Sequence, residues 1–143
     1  MLEWIFSFLS AQVIPVTVLA AGYYYKNHIP KTMKSGYRTA RSTRSRETWV
    51  FAHRMLGRLW RPLGWVLLTV SFFGMFAVLM VNKNALEKAT TVLCTVQAAA
   101  MLGTLIPIER ALKQNFDETG YPNDAEIFAQ CREDEAENNE PKG

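Results

Sequence analysis

The sequence predicts an all-α membrane protein with three transmembrane helices and a cytoplasmic interfacial amphipathic helix between the first and second. Three observations lead there. First, the chain of 143 residues holds three uncharged runs, 22 residues between Glu3 and Lys26, 21 between Arg61 and Lys83, and 20 between Lys88 and Glu109. At a rise of about 1.5 Å per residue each run reaches roughly 30 Å, the thickness of the hydrocarbon core. Second, none of the runs carries the charged face that a helix of a soluble bundle needs, although the overall mean hydropathy of −0.04 conceals this. Third, the stretch from Lys26 to Arg61 holds ten Lys/Arg against the single acid Glu47, a local charge of +9 in a chain of net charge +3. Basic side chains beside a span are retained on the cytoplasmic face and attracted to anionic lipid.

The first span, about 4–25, opens with Trp4, Phe6 and Phe8 and closes with Tyr23, Tyr24 and Tyr25, amphipathic rings suited to the two interfaces. It is expected to remain as a span, since no basic residue precedes its apolar part and no small-x-small cleavage site follows. Pro15 should kink it, and Gln12 and Thr17 should face other helices. Pro30 marks the stop. The polar segment 31–45 lacks apolar periodicity and reads as a loop. Ser45 then offers an N-cap, Glu47 suits the positive helix end, and Trp49, Ala52, Leu56, Leu59 and Trp60 form an apolar stripe. With Arg54, Arg58 and Arg61 largely opposite, residues 45–60 read as an interfacial helix. Pro62, pre-set for a first helical turn, begins the second span, about 62–81. A short turn over 82–88 makes the second and third spans antiparallel neighbours. The third span, about 89–108, is closed by Pro107.

A basic loop inside places the N-terminus outside and the C-terminus in the cytoplasm of a multi-pass plasma (inner) membrane protein. That orientation sets Gln12 and Gln97 at similar depth, where an interhelical amide pair would contribute ~0.6 kcal/mol. Thr95, Ala99 and Gly103, spaced by four, form a small-residue stripe for helix packing. Residues 1–122 read as one transmembrane module and 123–143 as an acidic, largely disordered cytoplasmic tail, with one short helix conceivable over 124–131. From Glu109 onward ten acids face four bases, a charge asymmetry that would let the tail dock on the basic loop. Cys94 lies in the third run and Cys131 in the tail, so two free thiols are expected. His28 and His53 have no ligand cluster around them, and neither a metal nor any other cofactor is expected.

The wording of the basic stretch is more particular than charge requires. Gly36-Tyr37-Arg38-Thr39, Arg41-Ser42, Glu47-Thr48-Trp49, Ala52, Arg54 and Gly57, with Pro30-Lys31 before them and Glu109-Arg110-Ala111-Leu112-Lys113, Phe116-Asp117 and Gly120 after, resemble the SdpI family. These are small bacterial membrane proteins named for an immunity protein against a secreted killing peptide. The resemblance covers roughly residues 30–120 and is to the short, three-helix form. It departs at Ala40, where proline is common, at Thr43, where methionine is common, and at His53, where asparagine is usual. His53 brings into the motif an imidazole that can titrate near neutral pH.

Read residue by residue, Gly36 permits a turn, Tyr37 and Trp49 anchor at the interface, and Glu47 pairs with Arg38 or Arg41. Arginine dominates from residue 38 onward, which suits bidentate recognition of carboxylate or phosphate, including lipid head groups, or simply enforces topology. The resemblance implies a non-catalytic immunity or signalling protein. Its partner would be a toxic peptide, anionic lipid or a membrane-complex protein, bound through Gly36, Tyr37, Arg38, Thr39, Arg41, Ser42, Glu47, Trp49, His53, Arg54 and Gly57. No nucleic acid is expected. Two alternatives stay open: an accessory subunit of a larger membrane complex, and an interfacial enzyme acting on lipid phosphate with Glu47 and His53 as acid and base.

Overall fold

The computed structural model describes residues 2–81 and 85–140. Among the described residues five helices follow one another: α1 (Leu2–Asn27), α2 (Arg46–Val81), α3 (Leu86–Gly103), α4 (Leu105–Asn115) and α5 (Ala125–Asn139). The protein is an all-α membrane fold. Among the described residues three stretches are long and apolar enough to cross a bilayer, Leu2–Asn27, Arg46–Met80 and Leu86–Asn115. Residues 82–84 of the expected 82–88 turn lie outside the described residues.

The amphipathic segment expected over 45–60 and the second span form one unbroken helix. At 36 residues α2 is about 54 Å long, well beyond the hydrocarbon core, so the charged half before Pro62 projects from the apolar half that crosses it. Pro62 does not end the helix, because α1 packs along both sides of it. Gly57 lies against the Tyr25–Lys26 backbone, Gly22 against Trp60–Arg61, and Gly64 against Leu19, each so close that an added Cβ would come within 2.7 Å of the partner helix. Three missing side chains thus let the two backbones touch along the last turns of α1, from Leu19 to Lys26.

The third span is interrupted at Thr104. Pro107 lacks the N–H that would bond the Gly103 carbonyl, and its ring crowds that carbonyl. The chain therefore breaks at Thr104, and Pro107 sits in the first turn of α4 instead of closing α3. Thr104 Oγ1 accepts from Trp60 Nε1 at 2.9 Å and donates to the Met101 carbonyl at 2.7 Å, which pins the break to α2.

Among the described residues, most of the acidic tail is helical, where composition predicts a largely disordered segment. Asp124 caps α5 by accepting from the Glu126 N–H, and the helix runs to Asn139 along α2. Between α4 and α5 a turn closed by a Phe116–Pro122 bridge docks on the start of α2, where Ser45 Oγ donates to the Gly120 carbonyl at 2.6 Å.

Burial is concentrated at one end of the molecule. Val18, Ala52, Leu56, Trp60, Ile108, Leu112, Phe116 and Cys131 form the main core, drawn from α1, the projecting half of α2, α4 and the tail. Along the apolar halves of the spans, by contrast, Phe6, Val70, Phe73, Met80, Val92 and Leu102 are exposed, a surface suited to lipid.

Candidate functional site: the folded basic cap

The polar segment 28–45 folds as a cap over the projecting half of α2, and its backbone is fastened at named points. Trp49 Nε1 and Arg46 Nη1 both donate to the Pro30 carbonyl, at 2.9 and 3.0 Å. Ile29 exchanges two hydrogen bonds with the Asn138 amide of α5, at 2.6 and 3.1 Å. Thr39 and Ser42 bond reciprocally, each backbone N–H to the other's hydroxyl, and the buried Ser42 hydroxyl also reaches the Tyr37 carbonyl at 3.1 Å.

His53 is the centre of the cap. It is fully buried, and its ring lies 4.2 Å from that of Trp49 and 5.1 Å from that of Tyr25. Its Nδ1 is 2.8 Å from the Trp49 carbonyl, which can only accept, so the proton sits on Nδ1. Nε2 is then a free lone pair, and it accepts the Tyr37 N–H at 3.0 Å. Burial pushes the imidazole below its ordinary pKa, against the Trp49 carbonyl and with help from Arg46 nearby. Gly36 makes this approach possible: its φ is +112°, and a Cβ there would come within 2.4 Å of His53 Nε2.

Tyr37 carries the cap across to α4. Its hydroxyl donates to Glu109 Oε1 at 2.9 Å, and Arg41 Nε approaches Glu109 Oε2 at 3.7 Å. Burial, reinforced by the Glu109 carboxylate, holds the phenol above its usual range. On the opposite side α5 supplies the acids. Arg46 Nε pairs with Glu135 at 2.8 Å, while Arg54 pairs with Asp134 at 3.4 Å and Glu137 at 3.0 Å and donates to the Lys26 carbonyl. Asp134 is raised by burial despite Arg54 beside it. Cys131, on the buried face of the same helix with its Sγ 3.7 Å from the Glu47 carbonyl, is pushed up to about 12 by burial and the surrounding carboxylates.

A sequence model of the SdpI/YfhL protein family matches residues 28–108, more than half of the chain and the whole of this cap. The chain belongs to the SdpI/YfhL family. No curated protein and no solved structure matches it. The family segment begins at the cap, runs through α2 and α3, and ends in the first turn of α4 one residue before Glu109.

Within this SdpI/YfhL chain the motif residues divide. Gly36, Tyr37, Thr39, Ser42, His53 and Gly57 build the cap or its seat. Trp49 is buried at 0 % exposure and is no interfacial anchor, because its indole is used inside on Pro30. Arg54 faces inward beneath α5. Among the described residues Glu47 makes no ion pair; the acid that meets Arg41 is Glu109. Arg38 points out and is exposed, with Lys31, Lys34 and Arg44.

The expected packing residues are placed differently. Gln12 Nε2 donates to Ser71 Oγ at 3.0 Å, and Ser71 in turn donates to the Ala11 carbonyl. Gln97 is buried on α3 with neither amide atom hydrogen-bonded. Thr17 is exposed and bonds back to the Val13 carbonyl. Thr95, Ala99 and Gly103 are exposed as well. At about 100° per residue, Thr95 lies some 200° round the helix from Gln97, which holds the inward face. The charge of the tail pointed to docking on the basic stretch, but not to which acids meet Arg46 and Arg54, nor to the Asn138 amide. The available signal was Asp134, Glu137 and Asn138 at helical spacing, which puts all three on one face.

Proposed function

We propose that this SdpI/YfhL protein is a non-catalytic membrane protein of immunity or signalling type, with its cap and α5 on the cytoplasmic side of the plasma membrane and its N-terminus outside. The cap is a rigid recognition surface for a peptide or membrane-protein partner, and Lys31, Lys34, Arg38 and Arg44 meet anionic head groups or acidic groups of that partner. One observation carries this reading: the motif's inward residues are committed to holding the loop in a single shape, while the loop's remaining bases point outward. A loop serving topology alone needs charge and no fixed shape.

The enzymatic alternative is weakened by His53, since both ring nitrogens are engaged and the ring is fully buried, leaving no atom to move a substrate's proton. The accessory-subunit alternative draws support from the exposed Thr95, Ala99 and Gly103 face, small enough for another helix to approach closely. Photocrosslinking in native membranes tests the main reading. A photoreactive residue at position 38 should capture a defined partner, whereas one at buried position 49 should capture none. Equal sensitivity of cells with and without the protein to a panel of membrane-active peptides, with no capture from position 38, would sink it. A monodisperse particle at the mass of one chain in mild detergent would dispose of the subunit reading.

A further inference from the structure

Beside the cap, on the far side of Glu109, an open groove of about 340 Å3 is lined by Arg41, Leu105, Ile106, Glu109, Arg110 and Lys113. Its composition changes along the helix axis. Ile106, Arg110 and Lys113 stand at i, i+4 and i+7 on one face of α4, and all three are exposed. The face thus passes from hydrocarbon-like to cationic within about 10 Å, immediately beyond the point where the third span breaks at Thr104. Among the described residues the only acid lining the groove is Glu109, and it is already engaged by the Tyr37 hydroxyl and Arg41. Arg41 is held at the rim by that same carboxylate, which leaves the groove an excess of two positive charges.

We propose that this groove binds one anionic phospholipid, its phosphate between Arg110, Lys113 and Arg41 and an acyl chain along Leu105 and Ile106. The proposal deepens the lipid part of the reading above by naming a site on α4 outside the basic loop, and it rests on the same embedding in the membrane. Charge complementarity selects the occupant. A neutral lipid would leave two cations uncompensated at the membrane surface, and a peptide helix would have to place a carboxylate at the depth where phosphate already lies. Arginine offers a planar fork to phosphate oxygens and lysine a point charge, so the two together suit a phosphodiester of variable tilt.

The test uses the full chain reconstituted in phosphatidylcholine nanodiscs containing a few per cent phosphatidylglycerol, with retained lipids counted by native mass spectrometry after transfer to mild detergent. The wild type should keep one phosphatidylglycerol in preference to phosphatidylcholine by roughly tenfold. Arg110→Gln/Lys113→Gln should lose the preference, Arg110→Lys/Lys113→Arg should keep it, and Lys26→Gln/Arg132→Gln, which removes the same charge from the exposed surfaces of α1 and α5, should keep it too. In a Cys94→Ala background, slow alkylation of Cys131 in each variant reports that the fold is intact. Wild-type preference in Arg110→Gln/Lys113→Gln overturns the proposal, as does equal loss in the Lys26→Gln/Arg132→Gln control or displacement of the lipid by millimolar inorganic phosphate. Capture of a partner from position 38 does not involve α4, so failure of the groove and failure of the cap's recognition role are distinct.

Discussion

At the scale of single residues, His53 and Gly36 act as one unit. His53 keeps the cap closed only while Nε2 is unprotonated, because an imidazolium has no lone pair for the Tyr37 N–H. The groups around it are Arg46 on α2, Tyr25 on α1 and Tyr37 in the cap, none of which offers a carboxylate to stabilise a charged ring. Its folded pKa lies below the unfolded value of 6.5, so the unfolded chain takes up the proton first. Stability is therefore complete above that pH and declines as pH falls through it. Trypsin cleavage at Lys31, Lys34 and Arg38 should accelerate between pH 7.5 and 5.5 in the wild type, and the acceleration should be absent in His53→Asn, which has no proton to gain. Gly36→Ala should expose the same sites at every pH. It forces a Cβ into the imidazole at a positive φ, at a cost of about 1–3 kcal/mol.

At the scale of elements, the pairing of α1 with α2 sets the frame on which the cap is built. The Gly57 and Gly64 positions are occupied by partner backbone, which cannot rotate away as a side chain would. Gly57→Ala should therefore lower thermal stability in detergent by about 1–3 kcal/mol, the range for overpacked sites. Gly74, also within α2, has nothing within 4 Å of an added Cβ. Gly74→Ala should be neutral or stabilising by up to about 1 kcal/mol from helix propensity alone. If the two variants melted alike by circular dichroism, the close approach of the helices would not be what holds the pair. Sequence showed Gly57 as a motif residue but not its role, since close approach depends on which glycine of one helix meets which segment of another.

At the scale of the whole molecule, α5 behaves as a strap. It joins Ile29 in the cap to Arg46 and Arg54 on α2, with its own Cys131 buried against α2. With its pKa pushed up to about 12, Cys131 has almost no thiolate at neutral pH. In a Cys94→Ala background, its alkylation by iodoacetamide at pH 8 should be at least roughly tenfold slower than for a free thiol. The triple change Asp134→Asn/Glu135→Gln/Glu137→Gln should restore much of the rate by loosening the strap. The strap should also resist salt. Arg54 is largely shielded from solvent, and screening acts weakly on buried pairs. If 1 M salt released Cys131 as fully as the triple change, α5 would be held by surface charge alone.

Sequence alone determined the three spans, the basic end and the family, because uncharged length and charge asymmetry act through the solvent and need no knowledge of partners. It also marked Gly36, Tyr37 and Arg41 as belonging together. What it could not decide was who meets whom. Glu47 is nearer to Arg41 along the chain, yet Glu109 is the acid that reaches it; Gln12 turns to Ser71 and not to Gln97; and a tail rich in acids folds because Arg46 and Arg54 await it on α2. Those outcomes depend on which surfaces meet in space, and the Gln12–Ser71 contact on the distance between α1 and α2 set by Gly22, Gly57 and Gly64. Such a distance comes from packing three-dimensional surfaces and is not encoded in any single helix's pattern.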